Sequence, residues 1–552
     1  MTKQISTPNF VISFLFSLCF AYIIIGFLNP ALDSTLAIFI ATLILMIIAN
    51  LILYSFVKQA IRSLKNGFLS KPLNIILALS LPIFFVTTIY ICLQLADIFL
   101  LEYILIPPKY FLTFILTAII SMSWSQVVCR LIIEQQAVRL QNMTGIYLGG
   151  MFFFIHLILA RALNHPTLSH NVVLFEADAG PWMEILASPE SAPINRAVHP
   201  LSLIIIRPLM RIVSFWMGEH YQLGAMLVVS ATAGLCIFMA WLFIKRATNS
   251  NTYAFLFATL LGFTASHLLF GSLTENYIFG AASLIFFFLL IQTKENRFSI
   301  LIPAGLLLFG ITITNIAQGV IGLFFNKFNF RRLILFCVYV LVFGIFLTLL
   351  TNFLHPKSIT FFFNPKDIAF EFNFVQVAGE EPESSFVEKF QVTTRTMALY
   401  GVVSPKPIEA ISEKPPFPTI DLKTFDIRTH TLASYKGIAN IPLVLWLILL
   451  VGSFITFIKN IRTSKHLPLM LGLLGALGFN FIMHLFYGTE LFLYTPYWMY
   501  ALILFIALSL SEFAEKTWFQ IVLGLIVLII AINNFTFIFS ILKAIAPFYA
   551  AS

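Results

Sequence analysis

The sequence predicts an all-α integral membrane protein, and two observations carry that prediction. Of 552 residues, 59% are hydrophobic and only 10% are charged, with a mean hydropathy of +0.94, whereas an ordinary soluble domain carries roughly 25% charged residues. So few charges cannot solvate the three or four globular domains that this length would otherwise suggest. Apolar runs of about 18 residues or more also recur along the chain, which is the length needed to cross a hydrocarbon core.

Five runs, near 9–28, 34–57, 72–95, 110–128 and 143–160, precede the first long polar stretch. The first follows Lys3 as a signal peptide would, but it is too long for an h-region and lacks a small-x-small cleavage site, so it reads as a retained span. The loop after it holds no basic residue, while the next holds Lys58, Arg62, Lys65 and Lys71. By the positive-inside rule the N-terminus is cytoplasmic. The same alternation puts Arg130 and Arg139 inside and the stretch 161–221 outside. Spans near 222–244, 251–270 and 277–292 then leave Lys245, Arg246, Lys294 and Arg297 inside.

Residues 298–326 are apolar except for polar interruptions such as Asn315 and Gln318, and Arg297 lies before them and Lys327, Arg331 and Arg332 after. Both ends are thus expected inside. A half-depth helical hairpin turning near Thr314 and Asn315, with the turn buried in protein, satisfies that constraint. Spans near 333–353, 439–458, 466–487, 496–510 and 517–540, with Lys459, Arg462 and Lys465 inside, bring the expected total to about 13 spans of some 20 residues each and place the C-terminus outside. The run 201–217 is interrupted by Arg207 and Arg211 and is expected to lie as an amphipathic helix in the outer interface.

This divides the chain into an N-terminal four-span unit (1–128), a membrane core (143–353), a second outer stretch (354–437) and C-terminal spans (438–552). The second outer stretch holds 10 of the 24 acidic residues and eight prolines, so short elements packed on the membrane face as a lid are expected there. The net charge of +9 comes from Lys and Arg in short inner loops. It is a topology signal, and no nucleic-acid partner is expected. Cys19, Cys92, Cys129, Cys236 and Cys337 all sit in or beside apolar runs without CxxC spacing, which argues against a disulfide framework or a zinc site.

The densest reactive cluster is in the first outer stretch: Glu176 and Asp178 two residues apart, then Trp182, Arg196 and His199. Acid/base chemistry or divalent-cation binding needs such groups, although any water-facing loop carries some charge. A second acid, Glu275, lies in the tight outer turn Ser272-Leu273-Thr274-Glu275-Asn276-Tyr277, and a third, Glu490, lies near Tyr494 in a short aromatic turn. Tyr and Trp at such depths usually anchor the interface, yet this pair suits the wall of a sugar or lipid-phosphate site. His156, His267 and His484 fall in or near spans and are expected to be packed polar residues.

The order of these parts resembles a GT-C type membrane glycosyltransferase. The resemblance rests on Phe175 to Asp178, His199-Pro200-Leu201, Leu273-Thr274-Glu275-Asn276-Tyr277 and Phe492-Leu493-Tyr494, and it covers roughly 143–540. Residues 1–128 depart from it, because four spans precede the helix that leads into the acidic loop. The resemblance implies inverting transfer of a sugar from a polyprenyl-phosphate donor to a hydroxyl of a lipid, glycan or protein acceptor, on the outer face of what would be a bacterial inner membrane. Asp178 is then the expected general base, with Glu176 as its alternative. Arg196, His199, Arg207, or a divalent cation such as Mg or Mn held by Asp178 and Glu275, would meet the leaving phosphate. Trp182, Glu275, Glu490 and Tyr494 complete the expected substrate contacts. No P-loop or Rossmann fingerprint is present, so no nucleotide cofactor is expected.

Two other classes fit parts of the sequence. The interrupted segment 298–326 suits a secondary transporter or lipid flippase, but such proteins place ionisable groups at mid-bilayer, whereas Glu176, Asp178, Glu275 and Glu490 fall at the outer mouth. An O-antigen-ligase-like enzyme would place its working residues in the late outer stretch, where Arg395, Arg428 and His430 are available.

Overall fold

A computed structural model describes residues 7–65, 106–135, 142–164, 172–194, 196–375, 386–412 and 419–549. The expected span near 72–95 with Lys71 and Cys92, and also Lys3, Arg139, Asn195 and the proline run 414–418, lie outside the described residues.

Helices α1 (Thr7–Leu28), α2 (Thr35–Lys65) and α3 (Pro108–Gln135) share an apolar cluster that buries Ile25, Ile38, Met46 and Phe114. Helix α4 (Met143–Leu163) leads into the first polar stretch, which folds as strand β1 (Val172–Leu174), α5 (Ala179–Ala187) and α6 (Ser202–Phe215). There follow α7 (Tyr221–Thr248), α8 (Asn251–Gly262), α9 (Ala265–Phe270), α10 (Tyr277–Gln292), α11 (Phe298–Ile311), α12 (Asn315–Phe325) and α13 (Phe330–Leu354). The late polar stretch holds α14 (Phe386–Arg395) and strands β2 (Ile408–Ser412), β3 (Thr419–Lys423), β4 (Phe425–Asp426) and β5 (Thr431–Leu432). Helices α15 (Asn440–Lys459), α16 (Leu467–His484), α17 (Pro496–Ser509) and α18 (Thr517–Tyr549) close the chain. Among the described residues, nine helices are long and apolar enough to cross a membrane: α1 to α4, α7, α13, α15, α16 and α18.

The burial pattern explains how so apolar a chain sorts its faces. Helix α13 buries Leu333, Phe336, Val340, Gly344, Thr348 and Thr351, one stripe at helical spacing, and exposes large apolar side chains such as Ile334, Val338 and Phe346 elsewhere. A helix in water would carry polar residues on that exposed side. Helix α17 buries all of its residues. At 14 residues it spans only about 21 Å at 1.5 Å per residue, and it sits inside the bundle instead of facing lipid.

Two helices are broken, and each break is met by backbone from a polar stretch. The predicted hairpin turns at 312–314, where Ile313 N–H donates to Val198 O and Gly310 O accepts from Leu201 N–H, both at 2.9 Å. Arg332 donates to Asn296 O, drawing the two open ends together. The expected single span 251–270 is instead divided at Phe263 and Thr264, a correction with a local cause: Thr264 Oγ1 accepts from His267 N–H and starts a new helix. The N–H groups this frees reach residues of the late stretch, Ser266 to Gly401 O at 2.9 Å and Ala265 to Val402 O at 3.3 Å. Asn534 Nδ2 satisfies Phe263 O at 2.7 Å and Val402 O at 2.6 Å. Non-helical backbone among spans is tolerated only when its polar groups are met in this way.

The two polar stretches, 161–221 and 354–437, form one layer. Strand β3 is central in a three-stranded sheet, parallel to β1 and antiparallel to β2, with Val173 opposite Asp421 and Ala410 opposite Asp421 on the other side. The expected short elements are present, but they brace the first stretch. Helix α6 forms where an interfacial helix was expected: Leu209, Ile212, Phe215 and Trp216 are exposed, while Arg207 and Arg211 point inward.

Candidate active site

The acidic motif hangs from the end of β1 in a strained turn. Phe175 and Glu176 have φ of 54° and 57°, a left-handed region that costs non-glycine residues on the order of 1 kcal/mol each. Ala177 N–H closes the turn on Leu174 O at 2.9 Å, and Phe175 N–H donates to Leu422 O of β3 at 2.9 Å. The Phe175 ring is fully buried against Phe492, with ring centroids 4.8 Å apart. Glu176 Oε2 accepts from Thr489 Oγ1 at 2.5 Å. The next acid, Asp178, begins α5 but makes no capping bond with its side chain, although an Asp there ordinarily accepts from the first helical N–H groups. Its carboxyl lines the cavity instead.

A second turn brings Glu275 to the same place. Asn164, just past α4, donates to Ser272 O at 2.7 Å and accepts from Thr274 N–H at 2.9 Å, which clamps the turn from both sides. The next residue, Asn276, lies 2.8 Å from His199 Nδ1. His199 Nδ1 is also 2.7 Å from Ile311 O. A carbonyl only accepts, so Nδ1 carries the proton, and the Asn276 amide then has its oxygen toward the ring.

These turns frame a cavity of about 540 Å³ lined by Glu176, Asp178, Glu275, Trp182, Arg196 and Tyr494, with Asn164 and Tyr277 beside them. Glu275 is 1% exposed and neither of its carboxylate oxygens has a hydrogen-bond partner. Burial, reinforced by the charge of Asp178, holds its carboxyl well above the usual range, with the Asp178 and Asn276 amides and Arg196 offsetting part of the rise. Burial raises Asp178 too, and Arg196 works against that rise. Burial opposes the charge of Arg196, but Glu371 overcomes it and raises its pKa: Nε reaches Glu371 Oε1 at 2.9 Å and Nη2 reaches Oε2 at 3.3 Å. Tyr487 donates to the same Glu371 oxygen at 3.1 Å. A second cavity of about 140 Å³ shares Arg196, Tyr277 and Tyr494 with the first and continues to His199, Thr312 and Tyr497.

Three expected site residues do other work. Glu490 does not line the large cavity; it is 2% exposed and accepts from Thr424 N–H at 2.9 Å, Thr424 Oγ1 at 2.5 Å and Phe492 N–H at 3.1 Å. It ties the late stretch to the turn after α16. Arg207 spends its guanidinium on Ile185, Ser188 and Pro189 carbonyls at the end of α5, which need cationic or N–H partners. His199 is buried, and burial together with Arg196 pushes it down to about 3. It is neutral at neutral pH and cannot meet a phosphate as a cation. Its ring packs edge-on against Trp182 at 5.3 Å.

The donor set does not suit a divalent cation held by Asp178 and Glu275. Such ions take about six oxygen ligands. Among the described residues no group of three His, Cys, Asp or Glu side chains could hold an ion, and Arg196 acts electrostatically on both acids. Sequence reasoning missed Glu371, Asn164, Tyr277 and Thr489. Of these only Tyr277 left a signal, as the last residue of the turn motif 272–277.

Comparison with known proteins returned no match: no family model, no curated protein and no solved structure.

Proposed function

We propose that the chain is a membrane glycosyltransferase that moves a sugar from a polyprenyl-phosphate donor to an acceptor hydroxyl at the loop face. The observation that supports this best is the convergence of Glu176, Asp178 and Arg196 from the first polar stretch, and of Glu275 from one turn, on a cavity of about 540 Å³, within the roughly 300–1,000 Å³ typical of ligand sites. An acceptor hydroxyl is a weak nucleophile at neutral pH, and a carboxylate of raised basicity takes its proton as the new bond forms. Asp178 fills that role: it is raised, lines the cavity and is not spent on capping its helix. The acceptor oxygen attacks the anomeric carbon, the bond to the phosphate oxygen breaks with its electron pair, and the configuration inverts. Arg196, kept charged and oriented by Glu371, faces the negative charge that builds on the leaving phosphate. Glu275, held toward its neutral form, donates a hydrogen bond to a sugar hydroxyl. No step runs through a metal ion.

A transporter is the reading that broken helices favour. Both breaks, however, are filled by backbone from the outer stretches, which leaves the freed polar groups occupied.

The test uses purified full-length protein and a polyprenyl-phosphate-linked sugar. Wild type should transfer sugar, and Asp178→Asn and Glu176→Gln, made at normal levels, should lose most of that transfer. Full activity in both variants would remove Asp178 and Glu176 from the mechanism.

A further inference from the structure

The end of the bundle opposite the acidic cavity has a cavity of its own, about 660 Å³, which the proposed reaction does not use. Tyr221 at the start of α7 lines the acidic cavity and Arg246 near its end lines this one, so about 37 Å of helix separates them at 1.5 Å per residue. Arg246, Lys294, Lys327, Arg332 and Lys465 line it, drawn from four separate helix connections. Among the described residues its only lining carboxylate, Glu295, is committed to Arg297, with Oε2 to Nη2 at 2.7 Å and Oε1 to Nε at 2.9 Å. Among the described residues no carboxylate forms an ion pair with the five cations.

Two further features suit an anion. His466 Nε2 in the cavity lining is buried without a hydrogen-bond partner, and a ring nitrogen that carries a proton can donate to a phosphate oxygen. Lys294 and Lys327 stand in the left-handed region, φ 55° and 59°, one past the helix-capping residue of α10 and α12, where Gly or Asn is usual. Both turns close in the same way, Glu295 N–H to Leu290 O and Phe328 N–H to Leu323 O.

We infer that this cavity binds the phosphate of an anionic membrane lipid. The lipid source follows from what borders the cations. Within one turn of Arg332 the surface of α13 becomes exposed Phe330, Ile334 and Leu335, and Phe324 is exposed beside Lys327. A phosphate with acyl chains attached matches that change from charge to hydrocarbon, whereas a soluble phosphate uses only the first part. Basic residues gather at one face of many membrane proteins for topological reasons alone, so the test must separate a built site from a charged surface.

The full-length protein in neutral detergent is titrated with phosphatidylglycerol or phosphatidylcholine while its unfolding midpoint is read. Phosphatidylglycerol should raise the midpoint saturably and phosphatidylcholine should not. The triple variant Lys294→Gln, Lys327→Gln, Lys465→Gln should weaken half-saturation on the order of 100-fold. The control Arg331→Gln, Lys459→Gln, Arg462→Gln removes equal charge from exposed residues that do not line the cavity and should change it less than about threefold, because dispersed surface charge is screened. Equal loss in both triples would overturn the site, as would an equal response to phosphatidylcholine. The same midpoint rise with millimolar inorganic phosphate alone would overturn the lipid assignment.

Discussion

Two glutamates in neighbouring turns of the loop face are both buried, both pushed above the ordinary carboxyl range, and treated in opposite ways. Glu490 receives three hydrogen bonds and joins two segments of chain. Glu275 has only the approach of the Asp178 and Asn276 N–H groups, neither in good hydrogen-bond geometry, yet the turn around it is clamped by Asn164 and His199. A buried polar group without a partner costs free energy, and a clamped turn prevents it from relaxing away. The difference separates an acid that holds the fold from one kept for a ligand, and residue type and burial alone would not have done so.

Variants at the two turns and beside them test that distinction. The largest effect is expected at Asp178→Asn: transfer falls by about 10³-fold, or ~4 kcal/mol, with an unchanged unfolding midpoint because the carboxyl caps no helix. Glu490→Ala should do the reverse, losing roughly 3 kcal/mol of stability as three buried donors are left unmet, with activity lost only in step with folding. The pH dependence of stability carries the same information. Burial pushes Glu490 up to about 7 from an ordinary 4.5, with the Thr424 and Phe492 donors opposing the rise. The folded state therefore binds the proton more tightly, and up to about 3 kcal/mol of stability, complete below pH 4.5, should be lost as pH rises through 7. Chemical denaturation across that window should lose this slope in Glu490→Gln. Asn164→Ala removes both Asn164 hydrogen bonds to the Glu275 turn and should cost about 2 kcal/mol while lowering kcat more than it raises KM. Glu275→Gln should also change stability little, within about 1 kcal/mol because no well-formed hydrogen bond is lost, and transfer should still fall at least tenfold. A large drop in midpoint there would place Glu275 with Glu490 as a structural acid.

Much of the membrane architecture was legible in the sequence, because lipid-facing stripes and loop charges follow directly from the solvent. The hairpin at 298–326 and the separate helix at 202–215 could be read from the positions of Arg297, Lys327, Arg331, Arg207 and Arg211. The break at Thr264 could not, since a Thr whose side chain caps a new helix looks like any other Thr within an apolar run. Of the site, Glu176, Asp178 and Glu275 were visible as acids at one face. Their strained and clamped backbones were not, because the partners come from far along the chain: Leu422 for Phe175, Thr489 for Glu176, and Glu371 for Arg196, 175 residues away. The same distance effect misplaced Glu490 and Arg207, whose partners decide what they do.

The most direct test of the central claim is to find where the donor sits. A polyprenyl-phosphate sugar carrying a diazirine on the sugar is irradiated with the full-length protein, and the labelled peptides are mapped. Label within 173–184 and 273–277, lost on competition with unmodified donor, is the predicted result. Label confined to the opposite end of the bundle, around 294–332, or insensitive to competition, would contradict the assignment of the acidic cavity as the site of transfer.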